Sequence, residues 1–393
     1  MAKPEILSQD QIKEQNRVNV INIIKKHGTI TKYEIAQELR LSIPTVTANI
    51  NSLLEEGYVL EAGVAKSTGG RKPVILQFNR DARYSIGVNI SPDHVDILLT
   101  NLEMETIAQA SFPSSEEEGF DKILQRIKDE VETIISKEKI SFEKVLGLGL
   151  SLPGLVNEDQ LILESAPNLG VHDFDFHPFE ASLGLRIFIE NEANVAAYAE
   201  IKEAKQNEIS NVVYVSITDG VGTGIIIDGQ IYKSKNKKAG EFGHMRITDE
   251  ALRCKCNRTG CWELYASKKA LLNYYKEASG NRMKTLEELF EKSIASEPKF
   301  KIAIDKYLDY LFIGIENIIL ALNPEYVIIG GEIGKYKDKF LDYVNEKNQL
   351  KSAYMEYEGT RITFSKLLDR GSLIGAALLP MQEVFEFKKS VIG

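Results

Sequence analysis

A chain of 393 residues with 43% hydrophobic content is too long for one ordinary core and well able to bury two or three, so a globular multidomain protein is expected. No run approaches the roughly 20 uninterrupted apolar residues that cross a bilayer, and the opening Met1-Ala-Lys-Pro-Glu5 lacks the apolar centre of a signal peptide. A cytoplasmic location with no membrane partner is therefore expected. The net charge of −9 speaks against nucleic acid until it is divided: residues 1–80 hold eleven Lys and Arg against eight Asp and Glu, a local +3 that leaves −12 for the rest. A small basic module on an acidic body is the asymmetry of a DNA-binding head fused to something with another task.

From Gln9 to Lys26 a helical period is readable in Val20, Ile21 and Ile24, and His27-Gly28 closes it. A short helix follows over Thr31–Leu39, with Thr31 as cap and Glu34 at capping-box spacing. Ser42 caps a third, whose Val46, Ile50, Leu53 and Leu54 share one stripe. Its other face carries Pro44, Thr45, Ala48, Asn51 and Ser52, with Thr47 beside them. These small or neutral-polar groups can enter a major groove without clash and read base edges. The strand-like Tyr58–Glu61 and Pro73–Phe78 flank the basic, Gly-rich Ala65–Lys72, a wing whose Lys66, Arg71 and Lys72 suit phosphates or the minor groove. Helix, helix, helix and basic hairpin come in winged-helix order. An all-helical docking module with a flexible loop explains the hairpin less well.

From Tyr84 onward strands and helices alternate, which predicts an α/β architecture. Tyr84–Ile90, Val95–Asn101 and Val145–Leu150 read as strands around a helix at Phe120–Ser136. A second round is read from Leu185–Ile189, with a helix at Asn191–Ala204 and strands at Val212–Thr218 and Gly224–Ile227. The two strand-turn-strand openings, near Gly87 and Gly222, suggest a duplicated unit with ligand in the cleft between copies. Thr218-Asp-Gly-Val-Gly-Thr-Gly224 lets backbone N–H groups approach an anion, although structural Gly-rich hairpins look the same. Gly330-Gly331-Glu332 after Tyr326–Ile329 invites the same caution.

All three cysteines lie in Cys254-Lys-Cys256-Asn-Arg-Thr-Gly-Cys261, and His244 stands just upstream. The pattern H-x9-C-x-C-x4-C supplies one imidazole and three thiolates, the tetrahedral set of a structural Zn²⁺, and thiols reserved for metal belong to a reducing compartment. Carboxylates and amides gather at the neighbouring turns: Ser151–Gly154, Ala166–Gly170, Glu190–Asn194, Glu241 and Glu263. Such a set suits the hydroxyls of a polyol.

Ala239-Gly-Glu-Phe-Gly-His-Met245 with Cys254-x-Cys256-x4-Cys261-Trp-Glu263 resembles the signature of the ROK family of repressors and sugar kinases. Ser151–Gly154, Ala166–Leu169, Asn191–Asn194, Asp219–Gly224 and Gly330–Glu332 extend the resemblance over nearly the whole chain. With a winged helix in front, the chain is similar to the repressor branch and, by Ile189–Asn194 after Ala166–Gly170, to its xylose repressors. The resemblance implies an N-terminal winged helix-turn-helix over 1–80 followed by a two-lobed actin-like (ribonuclease H-like) ATPase-type fold. The first lobe would span 81–190, completed by 371–393; the second would span 191–370, with the zinc site and a dimerisation surface.

It further implies that Asn168, Asn191, Glu192, Glu241, His244 and Glu263 line a monosaccharide pocket, while His244, Cys254, Cys256 and Cys261 hold zinc. Family kinases open the first lobe with an Asp-x-Gly-Gly-Thr-like turn for ATP phosphate. Here the stretch is Asn89-Ile-Ser-Pro-Asp93, and Glu192 stands where the kinase base is an aspartate. The expectation is a non-enzymatic repressor with no ATP requirement. A dimer, or dimer of dimers, binds operator DNA and releases it on sugar, xylose before glucose. The alternatives are a sugar kinase with an appended DNA-binding domain and a zinc scaffold for protein partners.

Overall fold

The structure, a computed structural model, describes residues 8–64, 73–203, 209–249, 252–291, 294, 297–341 and 359–387. Three helices open it, each started by a hydroxyl side chain. Ser8 caps α1 (Gln9–His27) and Thr31 caps α2 (Lys32–Leu39), both in reciprocal capping boxes, and Ser42 caps α3 (Ile43–Glu55), which has Pro44 in its first turn. β1 (Thr29–Thr31), β2 (Val59–Val64) and β3 (Val74–Phe78) make an antiparallel sheet in the order β1-β3-β2. Three residues are too few for a periodic signal, so β1 escapes sequence reading. On α3 the inner face is Val46, Asn49, Ile50 and Leu53. Asn49, whose amide donates to the Thr45 carbonyl at 2.9 Å, is buried where Leu54 was expected; Leu54 stays half-buried.

The head shares its core with the body. Ala82, Leu102 and Val384 pack in the same cluster as Ile21, Ile50 and Leu76. Beyond them β4 (Tyr84–Ile90), β5 (His94–Asn101) and β6 (Thr106–Pro113) run antiparallel, followed by α4 (Phe120–Lys137) and β7 (Val145–Leu152). A small antiparallel sheet of β8 (Leu155–Asn157), β9 (Ile162–Ala166) and β10 (Val171–Asp175) comes next, then α5 (His177–Leu183) and β11 (Ile187–Asn191). The main sheet has the order β11-β7-β4-β5-β6, with β7 and β11 parallel to β4. The strand that the sequence reads as opening a second round therefore closes the first sheet, and the helix after it, α6 (Glu192–Glu203), starts one residue later than expected.

The second sheet repeats the plan. β12 (Val212–Ile217), β13 (Val221–Ile227) and β14 (Gln230–Ile231) are antiparallel, and β15 (Tyr326–Gly331) and β16 (Arg361–Phe364) add in parallel, in the order β14-β13-β12-β15-β16. Every residue of β12 is buried, as a central strand covered on both faces requires. α7 (Glu263–Ala266), α8 (Lys268–Ser279), α9 (Leu286–Phe290) and the long α10 (Pro298–Leu322) lie between β14 and β15 in the chain. The inward residues of α10, Tyr307, Leu311, Ile315 and Ile318, join Val213, Val215 and Val327 in one core. Ile302, Ile313 and Leu320 remain exposed on its outer face.

The last helix, α11 (Gly371–Phe385), returns to the first sheet and crosses α6. A Cβ on Gly375 would lie 2.0 Å from the Val195 carbonyl oxygen of α6, and one on Gly149 of β7 2.0 Å from that of Ala376. Backbones this close leave no room for side chains at the crossings, so α6 packs directly on α11 and α11 directly on the first sheet.

Candidate functional site

On α3 the six residues expected on the outer face divide by exposure. Pro44, Ala48 and Asn51 are exposed, and Thr45, Thr47 and Ser52 half-buried. Thr45 is tied to the cap by a 2.8 Å contact with Ser42, and Ser52 donates to Glu56 at 2.8 Å, so part of this polar surface secures the helix itself. Ile43, 46% exposed, and Tyr33 on α2, 62% exposed, are further solvent-facing residues of the head; nothing in the hydrophobic pattern marks them. Lys66, Arg71 and Lys72 lie outside the described residues.

In the body, one His244, Cys254, Cys256 and Cys261 donor atom each lie within 4.8 Å of one another. Local chain chemistry makes this possible. Asn257 and Gly260 take positive φ of 67° and 74°, and Gly243 lies so near β13 that a Cβ would sit 1.9 Å from the Val221 carbonyl oxygen. Trp262, fully buried, donates its indole N–H to the Tyr310 carbonyl at 2.9 Å and fills the notch left by Gly314, which pins the loop to α10. Tetrahedral Zn²⁺ with bonds of about 2.3 Å to sulfur and 2.0 Å to nitrogen has edges of roughly 3.8 Å between sulfurs and 3.5 Å between sulfur and nitrogen. Cys256 and Cys261 Sγ atoms are 3.6 Å apart and Cys254 Sγ is 3.5 Å from His244 Nδ1. The donor set fits zinc in kind and in spacing.

Around this corner stand the acids. His244 turns Nδ1 to the sulfurs and to Glu263 Oε1 at 3.4 Å, while Nε2 points at Glu241 Oε2, 3.9 Å away. Glu263 Oε1 also accepts from the Cys254 thiol at 2.8 Å, a bond that a metal-bound thiolate would not donate. At the end of β11, Asn191 caps α6: its Oδ1 accepts from Ala193 N at 2.9 Å and Asn194 N at 3.3 Å, and its Nδ2 donates to the Gly154 carbonyl. Glu192 lies against the Gly-rich turn, its Oε1 3.7 Å from a Cβ built on Gly222. Burial, with the nearby Glu332 charge adding to it, lifts its carboxyl to about 7. Asn168 accepts from Lys255 of the metal loop at 3.0 Å. Of the six expected pocket residues, Glu241, His244 and Glu263 are thus brought together at the cysteine loop and Asn168 is joined to that loop through Lys255, while Asn191 and Glu192 stand at the start of α6 beside the Gly-rich turn; Asn191 and Asn168 also serve as structural ties.

A family model described as "ROK family" matches residues 85–383, and one described as "Winged helix-turn-helix DNA-binding" matches 13–59. The chain belongs to the ROK family. It is 29% identical over 389 residues to the xylose repressor of Caldicellulosiruptor bescii, covering 96% of this chain and 98% of that one. With the xylose repressor of Bacillus subtilis it shares 32% identity, over 84% and 85% of the two chains. A crystal structure of a ROK family transcriptional regulator, described as a homolog of the Escherichia coli MLC protein, superposes with a TM-score of 0.79 at 24% identity over 96% and 98%. A ROK glucokinase from Streptomyces griseus with glucose and AMPPNP gives 0.64 at 22%, over 76% and 99%. Both likenesses are of fold.

The turns of this ROK body are already engaged by protein groups. Asn89, at the stretch lacking the glycines of the kinase turn, accepts from the buried Ser151 hydroxyl at 2.9 Å. At the other turn Lys268 Nζ lies 3.0 Å from Asp219 and 2.6 Å from Glu332, and Lys269 Nζ 2.7 Å from Asp219, so two ammoniums bind the carboxylates beside both Gly-rich loops. Lys268 is missed by sequence reasoning, because Lys at the start of a helix reads as a solvated residue. Among the described residues no helix is long and apolar enough to cross a membrane.

Proposed function

We propose that this ROK protein is a xylose-responsive transcriptional repressor. As a dimer it binds a pseudo-palindromic operator through α3 and the wing and lets go when the pentose occupies the cleft. The observation that carries the reading is the continuous core between a winged helix with a small, polar outer face and a body whose Glu241, His244 and Glu263 converge at one cleft corner. The full-length likeness to proteins named xylose repressors supports the choice of sugar. The exposed Ile302, Ile313 and Leu320 on α10 suit a subunit interface.

His244, Cys254, Cys256 and Cys261 would hold the zinc, which supplies charge and a fixed coordination direction. With Nδ1 on the metal, the imidazole keeps its proton on Nε2 and offers a donor to a sugar hydroxyl beside the carboxylate of Glu241. Glu192, neutral over part of the accessible pH range, can donate as well as accept. Closing the cleft on sugar tilts α6, whose first turn carries Glu192. The Gly375 contact passes that tilt to α11, and at its end Phe385 meets the head: Asn22 Nδ2 donates to the Phe385 carbonyl at 2.9 Å, and Lys25 Nζ lies 4.0 Å from its ring centroid. Sugar weakens operator binding, and operator weakens sugar binding by the same factor. The Lys268 and Lys269 ion pairs and the Asn89 turn support a body that binds sugar without phosphorylating it.

Fluorescence anisotropy of labelled operator with the zinc-loaded protein, titrated with D-xylose and D-glucose, tests this. Release of DNA by xylose without ATP is expected. Steady sugar-dependent ATP turnover, or operator binding indifferent to every monosaccharide, refutes it.

A further inference from the structure

A cation-bearing segment of the second lobe bridges to the first. It starts after β14, at Lys233, and runs to Gly240 and Glu241, and it is tied to the second lobe at both ends: by the β13–β14 pairing and by the Thr223 hydroxyl, which donates to the Gly240 carbonyl. Between those ties it reaches to the first lobe. Lys233 Nζ sits 2.6 Å from Glu158 Oε1 and 2.5 Å from Glu190 Oε2, and Lys237 Nζ 2.6 Å from Glu158 Oε1 and 2.9 Å from Asp159 Oδ2. Of these three acids Asp159 is exposed, whereas Glu190 and one oxygen of Glu158 are withdrawn from water. The Glu190 side chain is 4% exposed and Glu158 Oε2 is sealed from solvent.

Glu190 also works behind the sugar-facing residues. Its Oε1 accepts from Asn194 Nδ2 and from the backbone N–H of Asn191, both at 2.9 Å, which sets the first turn of α6 and hence Glu192. Surface ion pairs contribute little, but a buried carboxylate left without its cation is strongly unfavourable, so the Lys233 contact is worth most when the lobes are together.

We propose that Lys233 and Lys237 are the closure latch of the effector cleft: their pairs with Glu158, Asp159 and Glu190 hold the lobes together around bound sugar, and Lys233, through Glu190, positions the start of α6. The inference rests on the cleft being the monosaccharide site. Opening the lobes separates these charges and returns Glu190 to water, so sugar and latch favour the same closed state and each strengthens the other.

Calorimetric titration of the full zinc-loaded chain with D-xylose, in low and high KCl, tests it. Lys233→Met is expected to weaken xylose binding by about tenfold and Lys237→Met by a few-fold, in the range of ordinary site coupling. Lys233→Arg should retain most of the affinity. Wild-type affinity should fall with salt, and the double Met variant should lose that dependence. Because Lys233→Met can also loosen the fold, Lys237→Met at unchanged melting temperature is the deciding variant. If it binds xylose as wild type does, with the same salt dependence, the latch is overturned. If wild type binds no monosaccharide at all, the sugar-cleft reading falls and the latch with it.

Discussion

Replacing Glu192 by Gln should remove a defined part of the pH dependence of stability. The carboxyl titrates near 4.5 when unfolded and at about 7 in the fold, because burial, and then the Glu332 charge, disfavour its ionised form. At about 1.4 kcal/mol per tenfold change, the interval sets a ceiling of about 3 kcal/mol. The side chain keeps some exposure at the cleft, so screening brings the expectation to about 1–2 kcal/mol. The folded state binds the extra proton, so this stabilisation is complete below pH 4.5, declines as pH rises through 7 and is gone above it. Urea denaturation of both proteins at pH 5 and pH 8, with zinc present, reads it out. Wild type should lose about 1–2 kcal/mol more than Glu192→Gln between the two. A wild-type-minus-variant difference that is the same at both pH values refutes the reasoning.

Cys256→Ser is expected to abolish zinc retention, measured by elemental analysis, and the release of operator by xylose, while circular dichroism and operator binding show a folded head; xylose release by the metal-free variant would dissociate zinc from the response. Gly375→Ala forces a Cβ to 2.0 Å from the Val195 carbonyl oxygen, so thermal denaturation should show a loss of at least about 2 kcal/mol. Phe385→Ala removes the ring that packs on Phe78 and under Lys25. It should leave calorimetric xylose affinity near that of wild type while cutting the xylose-induced change in operator affinity severalfold; an unchanged ratio would break the proposed route through α11.

Local chemistry made much of this protein legible before any folding. Caps at Thr31 and Ser42 are decided within four residues, and they start helices where expected; Ser8 adds a cap to the helix read from Gln9. The candidate metal site is nearly as local: its three cysteines lie within eight residues, and His244 is ten residues before the first of them. Short or polar strands such as β1 and β8 carry no periodicity to read, since their reason for existing is a partner far along the chain. The same distance kept the pairing of β11 with β7 out of the strand and helix pattern, although the family resemblance places residues up to 190 in the first lobe.

The charges show the division best. The run of lysines after Ile231 is visible in the sequence, but only tertiary structure sets Lys233 on Glu190 and Lys268 between Asp219 and Glu332. A charge run looks like a solvated face until the fold brings the opposite charge to it. By itself the sequence determined the residue kinds, most of the caps and the gathering of three thiols and an imidazole in one loop, because those features close over a short stretch of chain. The ion pairs of Lys233 and Lys268, the close crossing of α6 and α11 and the contact of Phe385 with the head were decided only when segments remote in sequence were packed together.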